Sequence, residues 1–218
     1  MTLKTARNLY IAEEEIPVEI STQSLKNKPI SKKLKVRVLP AAGGEIIHSV
    51  EVETVAGKAI VKFKIPKSGK YRIEATGIGR NGISLTESTE IECSGQDDKR
   101  KLFILNDEIK IQAGSTYKIS AFSRAENDTA ILILSGEKNA VIKEISLQKG
   151  KNEIPLEIKG EYSPNMRVTL LLVNREGSYS AFKDMPIEKK LKVNITQLKK
   201  TYSPGDTVNL AVSLLNQS

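Results

Sequence analysis

Residues able to do chemistry are few in this 218-residue chain, which carries one histidine, His48, and one cysteine, Cys93. A Cys/His zinc site, an internal disulfide framework and a Ser-His-Asp triad each need partners that this pair would have to supply almost alone. His48 stands in Glu45-Ile46-Ile47-His48-Ser49 with no second ligand candidate, and reads as a surface or strand-edge histidine. Gly77-Ile78-Gly79-Arg80-Asn81-Gly82 satisfies the G-x-G-x-x-G pattern of dinucleotide sites. That chemistry needs a helix to follow, so that its N-terminus faces the pyrophosphate. Ile83-Ser84-Leu85-Thr86 alternates like a strand instead, which predicts a hairpin turn. Glu13-Glu14-Glu15 could attract a cation, but reads as a solvated acidic lead-in to the first strand. The expectation is a non-enzyme, with no catalytic, cofactor-binding or metal-binding residue and no cofactor.

The elements around these residues are strands. Apolar residues alternate with polar ones in Ile16 to Ile20, Leu34/Val36/Val38, Ile46 to Val52, Ala59/Val61/Phe63/Ile65, Tyr71/Ile73/Ala75 and Ile83 to Ile91. Turn residues such as Lys67-Ser68-Gly69 separate the runs, and no segment sustains an apolar helical stripe. Six or seven short strands at this spacing predict a β-sandwich over residues 16–94, after a lead-in of residues 1–15. Ser94-Gly95-Gln96-Asp97-Asp98-Lys99-Arg100 lacks any apolar residue and reads as a linker, placed at 95–100.

The strand series then restarts. It runs through Phe103 to Ile111, Tyr117/Ile119/Ala121, Ala130 to Leu134, Val141 to Leu147, Ile154/Leu156/Ile158, Met166 to Val173 and Tyr179 to Ile187. This predicts a second sandwich over residues 101–189. Leu191/Val193/Ile195 and Val208/Leu210/Val212/Leu214 are two more strands, which cannot bury a core alone. Residues 190–218 therefore read as the start of a third, truncated module. The fold class is all-β, as tandem immunoglobulin-like antiparallel sandwiches, with no strong letter-by-letter repeat between them.

The charge is +8, from 34 Lys+Arg against 26 Asp+Glu. Such a balance could serve nucleic acid, but the cations alternate with aliphatics in Lys33-Leu34-Lys35-Val36-Arg37, in Lys58 to Ile65 and in Lys190 to Ile195. A strand with one buried face puts its lysines in water, so these are read as solvated outer faces and edge guards. Nucleic acid and metal are not expected as partners. No apolar run approaches the roughly 18 residues of a membrane-spanning helix, and no apolar segment of a secretory signal follows Met1 to Arg7. Asn127-Asp128-Thr129, Asn194-Ile195-Thr196 and Asn216-Gln217-Ser218 fit the glycosylation sequon, a pattern without meaning if the source is a bacterium, which the Lys/Ile-rich composition favours.

Tyr202-Ser203-Pro204-Gly205-Asp206-Thr207-Val208-Asn209-Leu210 resembles the module opening of the α2-macroglobulin family. Pro204 presets φ at the second position of a type II turn, Gly205 takes the positive φ after it, and Tyr202 can pack on the module. Gly114 to Ile119 is a degenerate version without the proline. Ala130 to Glu137, Lys151-Asn152-Glu153-Ile154-Pro155-Leu156 and Glu161-Tyr162-Ser163-Pro164-Asn165 to Leu170 resemble further stretches in the family's order, over residues 101–218. Ser68-Gly69-Lys70-Tyr71 to Ala75 matches a Gly-x-Tyr strand more loosely.

The resemblance implies the scaffold of a large extracytoplasmic, periplasmic or secreted parent that inhibits endopeptidases by bait cleavage and entrapment. Its partners would be neighbouring modules of a longer chain and, for the full-length protein, target proteases. Many members carry a Cys-x-Glu-Gln thioester. Cys93-Ser94-Gly95-Gln96 has that spacing without the glutamate and at a module boundary, and reads as a plain strand-end cysteine. The family's bait segment is expected past Ser218, so the fragment would be non-catalytic scaffold. The alternative is a cell-surface structural or adhesive array of immunoglobulin-like modules, and after that an accessory domain of an enzyme.

Overall fold

The computed structural model describes residues 1–79, 82–106, 110–197, 201, 203–205, 207–208 and 210–217, the last strand pair in part by its backbone alone. The chain divides into two compact units, Met1–Arg100 and Lys101–Ser218.

The first unit holds eight strands among its described residues: β1 (Thr2–Thr5), β2 (Leu9–Ile11), β3 (Glu15–Ser21), β4 (Lys33–Pro40), β5 (His48–Glu53), β6 (Lys58–Lys64), β7 (Gly69–Ile78) and β8 (Ser84–Ser94). They form a three-stranded sheet, β1-β3-β6, and a five-stranded sheet, β2-β8-β7-β4-β5. Each strand alternates because one face is buried: Ile16, Val18 and Ile20 from β3 and Leu34, Val36 and Val38 from β4 enter one core with Val61, Phe63, Ile73 and Ile91. The intervening Lys33 and Lys35, and Lys58, Lys62 and Lys64, are exposed as expected for lysines that alternate with core residues.

The second unit repeats this plan. Its strands are β9 (Leu102–Ile104), β10 (Ile111–Gln112), β11 (Thr116–Ser123), β12 (Asp128–Ser135), β13 (Ala140–Leu147), β14 (Gly150–Glu157), β15 (Asn165–Asn174) and β16 (Gly177–Glu188). The sheets are β9-β11-β14 and β10-β16-β15-β12-β13, the same order as in the first unit when each strand is advanced by eight. In both, the one parallel pairing among the described residues joins the second strand to the eighth, β2 with β8 and β10 with β16.

The repeat holds at single residues. Ala12 N donates to Ser94 O at 2.9 Å and Glu13 N to Ile65 O at 3.0 Å; Ala113 N donates to Glu188 O at 2.9 Å and Gly114 N to Ile158 O at 2.7 Å. These turns carry the chain from one sheet to the other, and Glu13 and Gly114 both hold a positive φ there. On the outer face of the large sheet, Arg72 and Glu90 stand where Arg167 and Asp184 stand in the second unit. Their neighbours differ: Lys35 and Arg37 in β4 are replaced at equivalent register by Ile131 and Ile133 in β12.

Three sequence readings change. Residues 1–15 are more than a lead-in, since β1 and β2 place Leu3 and Tyr10 in the core of the first sandwich. Residues 95–100 are an ordered turn rather than a bare linker: Asp98 N donates to Gly95 O at 3.1 Å, and Gly95 N donates to Ser68 Oγ at 2.6 Å. The single strand read from Phe103 to Ile111 is two, β9 and β10, which join different sheets; Asp107, Glu108 and Ile109 lie outside the described residues.

The last strands, β17 (Lys190–Gln197) and β18 (Leu210–Gln217), pair antiparallel in a two-stranded sheet of their own. Gly205, between them, takes a φ of 93°, as the type II turn requires. The packing expected of Tyr202 lies outside the described residues, as do Asp206 and Asn209.

Candidate functional site

Cys93 lies on β8 opposite Tyr10 of β2 and is 1% exposed. Ile187, opposite Ile111, fills the equivalent position of the second unit, which makes this a core position taken by a small hydrophobe. Burial pushes the thiol up to about 12, with the carboxylates of Glu14 and Glu92 adding to the rise. A nucleophile must be a thiolate, and this environment opposes one. Gln96 is exposed in the turn beyond the strand end.

His48 begins β5, an edge strand of the five-stranded sheet. Its Nε2 donates to Lys64 O at 2.7 Å, and its ring centroid lies 5.8 Å from that of Phe63. The imidazole therefore ties the edge of one sheet to β6 of the other. Among the described residues no group of three His, Cys, Asp or Glu side chains could hold a metal ion.

The glycine pattern occupies the β7–β8 hairpin. Gly77 is in β7, Gly79 N donates to Ile83 O at 2.7 Å, and Gly82 takes a φ of 73° before β8 begins. A strand follows, so no helix N-terminus is offered to a phosphate. Arg80 and Asn81 lie outside the described residues. Gly77 is a packing glycine: a Cβ there would meet Leu34 Cδ2 at 2.5 Å.

The three glutamates are each used structurally. Glu13 sits at the switch between sheets, Glu14 pairs with Arg7 and accepts Ile11 N at 3.2 Å, and Glu15 pairs with Lys62 at 2.8 Å. The hydrogen bond and charge of Lys62 hold the Glu15 carboxyl below its usual range.

The densest polar cluster was not singled out in sequence. Arg100 pairs with Glu92 and, at 2.6 Å, with Asp98; Ser94 Oγ donates to Asp98 Oδ2 at 2.9 Å and Ser68 Oγ to Asp97 Oδ1 at 2.6 Å. The Arg100 hydrogen bond, with that of its backbone N–H and of Ser94, lowers Asp98 to about 2 against the opposing effect of burial. The cluster closes a turn, and its groups are consumed by one another. An open groove of about 650 Å³ runs along β4, β5 and β7 past Lys33, Lys35, Glu51, Glu53 and Thr76. Opposite charges alternate across it, with no convergent set of donors aimed at one point. Among the described residues no helix is long and apolar enough to cross a membrane.

What the geometry offers is one sandwich plan used twice. The family described as "Alpha-2-macroglobulin bait region domain" matches residues 100–217. Among solved structures, the native conformation of Escherichia coli α2-macroglobulin is similar at 15% identity and a TM-score of 0.43, over 96% of this chain and 16% of that one. Salmonella α2-macroglobulin, as the Y1175G mutant, is similar at 14% identity and a TM-score of 0.42, over 99% of this chain and 17% of that one. The fibronectin(III)-like modules of Clostridium thermocellum are similar at 13% identity and a TM-score of 0.32, over 85% of this chain and 93% of those modules. The chain thus spans about a sixth of the length of the two α2-macroglobulins. No curated protein matches it. With a bait region domain recognised over more than half of its length, the chain belongs to the α2-macroglobulin family.

Proposed function

We propose that this chain is a non-catalytic scaffold in an extracytoplasmic protein that inhibits endopeptidases by bait cleavage and entrapment. The match of residues 100–217 to a bait region domain carries this reading. The contribution of residues 1–188 is to hold a frame. An endopeptidase binds substrate as an extended segment lifted clear of its own sheet, whereas each strand of the two sandwiches is held in a ladder by at least one neighbour. The cut segment is therefore assigned to chain outside these sixteen strands.

The test uses the parent protein from its source, mixed with a purified endopeptidase. Entrapment predicts a single early cut, after which the protease keeps its activity on a small chromogenic peptide and loses it on a large protein substrate. Loss of neither activity, or digestion at many sites, rejects the trap.

A structural or adhesive array is the second reading, favoured by the repetition of one eight-stranded plan in both units. It predicts a parent built of further sandwiches, whose digestion leaves protease activity on large substrates unchanged.

A further inference from the structure

The end of the first sandwich where β3, β5 and β7 finish is built from three turns tied to one another. Thr22 N donates to Gly57 O at 2.8 Å and Thr54 N to Lys32 O at 2.9 Å, which joins the β3–β4 connection to the β5–β6 turn. Lys32 Nζ donates to Ile78 O at 2.7 Å, which joins it to the β7–β8 hairpin. A Cβ on Gly57 would meet Thr22 O at 2.6 Å, so the first two turns touch backbone to backbone. The chain leaves this sandwich from the opposite end, after Ser94.

Each turn lifts an aliphatic side chain into water. Leu25, Val55 and Ile78 are 106%, 75% and 71% exposed, more than any other large apolar residue among the described residues, and Ile83 adds 64%. The fold does not require them. In the second sandwich the equivalent turns, 124–127, 148–149 and 175–176, hold no valine, leucine, isoleucine or aromatic residue. The charge differs as well. Those turns set Arg124, Lys149 and Arg175 against Glu126 and Glu176, whereas 22–32, 54–57 and 79–83 contain no aspartate or glutamate. Lys26 and Lys28 follow Leu25, and Lys33 and Lys58 open the strands behind the turns; all four are exposed. Glu53, opposite Lys33 at the end of β5, is the carboxylate beside them.

Apolar tips on separate turns, collared by lysines, match a surface that is anionic on top and apolar beneath. Aliphatic tips enter the boundary of the acyl chains, and the lysine stems lie along it with their ammonium groups at the phosphates. A protein partner selects the reverse, a contiguous apolar centre from which lysine is depleted. We propose that this end of the first sandwich is a peripheral docking site for an anionic phospholipid bilayer, entered by Leu25, Val55, Ile78 and Ile83. The inference rests on the contrast between the two sandwiches and is independent of whether the parent traps proteases.

The chain has no tryptophan, so Leu25→Trp supplies a single fluorescent reporter, and Glu176→Trp supplies its control at the equivalent end of the second sandwich. Each variant is mixed with vesicles of phosphatidylcholine containing about 30% phosphatidylglycerol, and with phosphatidylcholine alone. The expected result is a blue-shifted emission for Leu25→Trp with the anionic vesicles only, and no shift for Glu176→Trp. Raising salt from about 0.1 M to about 0.5 M is expected to weaken binding about tenfold. Lys26→Gln combined with Lys28→Gln is expected to weaken co-sedimentation with the anionic vesicles about 30-fold. The intact parent is expected to co-sediment with the same lipid preference. Absence of a shift, equal shifts in both lipids, equal shifts in both variants, or binding unchanged by the lysine substitutions overturns the proposal. So does a parent that fails to bind. A parent in which Leu25→Cys is shielded from a water-soluble maleimide before lipid is added, read by peptide mapping, also overturns it and assigns this end to a protein partner.

Discussion

Glu13 and Gly114 occupy one position in two copies of the same turn, with φ of 66° and 81° and a backbone hydrogen bond to equivalent residues, Ile65 and Ile158. Glycine adopts that φ freely, whereas an L side chain there costs about 1–2 kcal/mol. Gly114→Ala is therefore expected to destabilise the second sandwich by about 1 kcal/mol after its lower unfolded-state entropy is allowed for. Glu13→Gly, whose side chain is exposed, is expected to stabilise the first by roughly 0.5 kcal/mol. Urea-dependent hydrogen exchange of the core amides of each unit measures both, and opposite signs are the expected outcome.

Cys93 offers a chemical check of its burial. With its pKa raised to about 12, the folded thiol stays neutral where an unfolded one ionises. Iodoacetamide at pH 8 is expected to leave it unmodified until the first sandwich unfolds. The sign for stability follows: the unfolded chain releases the proton first, so the contribution is full below about pH 9 and is lost as pH rises toward 12. Cys93→Val, which mimics Ile187, is expected to fold and to remove this part of the alkaline loss, measured as the change in thermal midpoint between pH 8 and pH 10.

The alternation at Leu34/Val36/Val38 and Ile119/Ala121 was legible because a two-layer fold writes its inner face directly into the sequence. The repeat of the two units was not, because many equivalent positions carry residues of different type: Cys93 stands for Ile187, Glu13 for Gly114, Lys35 for Ile131 and Arg37 for Ile133. Strands β1 and β2 escaped notice for another reason. Each is three or four residues long and offers one buried side chain, Leu3 or Tyr10, so no alternation can show. The groups with a chemical appearance in sequence are spent differently: His48 on an edge contact with Lys64 O, sixteen residues away, and the Gly77–Gly82 pattern on a local hairpin closed by Gly79 N and Ile83 O.

Asp98 makes the turn at 95–100 sensitive to acid. Its carboxyl is lowered from 3.8 to about 2, chiefly by the Arg100 hydrogen bond. Its contribution is present above about pH 4 and is lost as pH falls toward 2. Asp98→Asn is expected to cost about 1 kcal/mol at pH 7, a figure reduced for the half-exposed Arg100, and only a small part of that at pH 2. The stability difference between the two proteins, followed from pH 7 to pH 2, should close over that window. A constant difference would assign the loss to packing instead.

Thr22 and Thr54 form the buried polar joint between the two sheets of the first sandwich. Their Oγ1 atoms meet at 2.8 Å, Thr22 Oγ1 donates to Ile30 O at 2.6 Å, and Lys32 N donates to Thr54 Oγ1 at 2.9 Å. Both side chains are at most 2% exposed, so removing one hydroxyl leaves buried polar groups unpaired. Thr54→Val is expected to cost about 2–3 kcal/mol, since Lys32 N and Thr22 Oγ1 both lose a partner, and Thr22→Val about 1–2 kcal/mol. The double variant is expected to fall short of the sum by about 1 kcal/mol, because Thr22 Oγ1 is no longer present to be orphaned by the loss of Thr54. A double-mutant cycle on urea unfolding reads this coupling directly. Strict additivity would mean that the two hydroxyls act through their separate backbone bonds, and that the joint between β3 and β5 is not the side-chain contact itself.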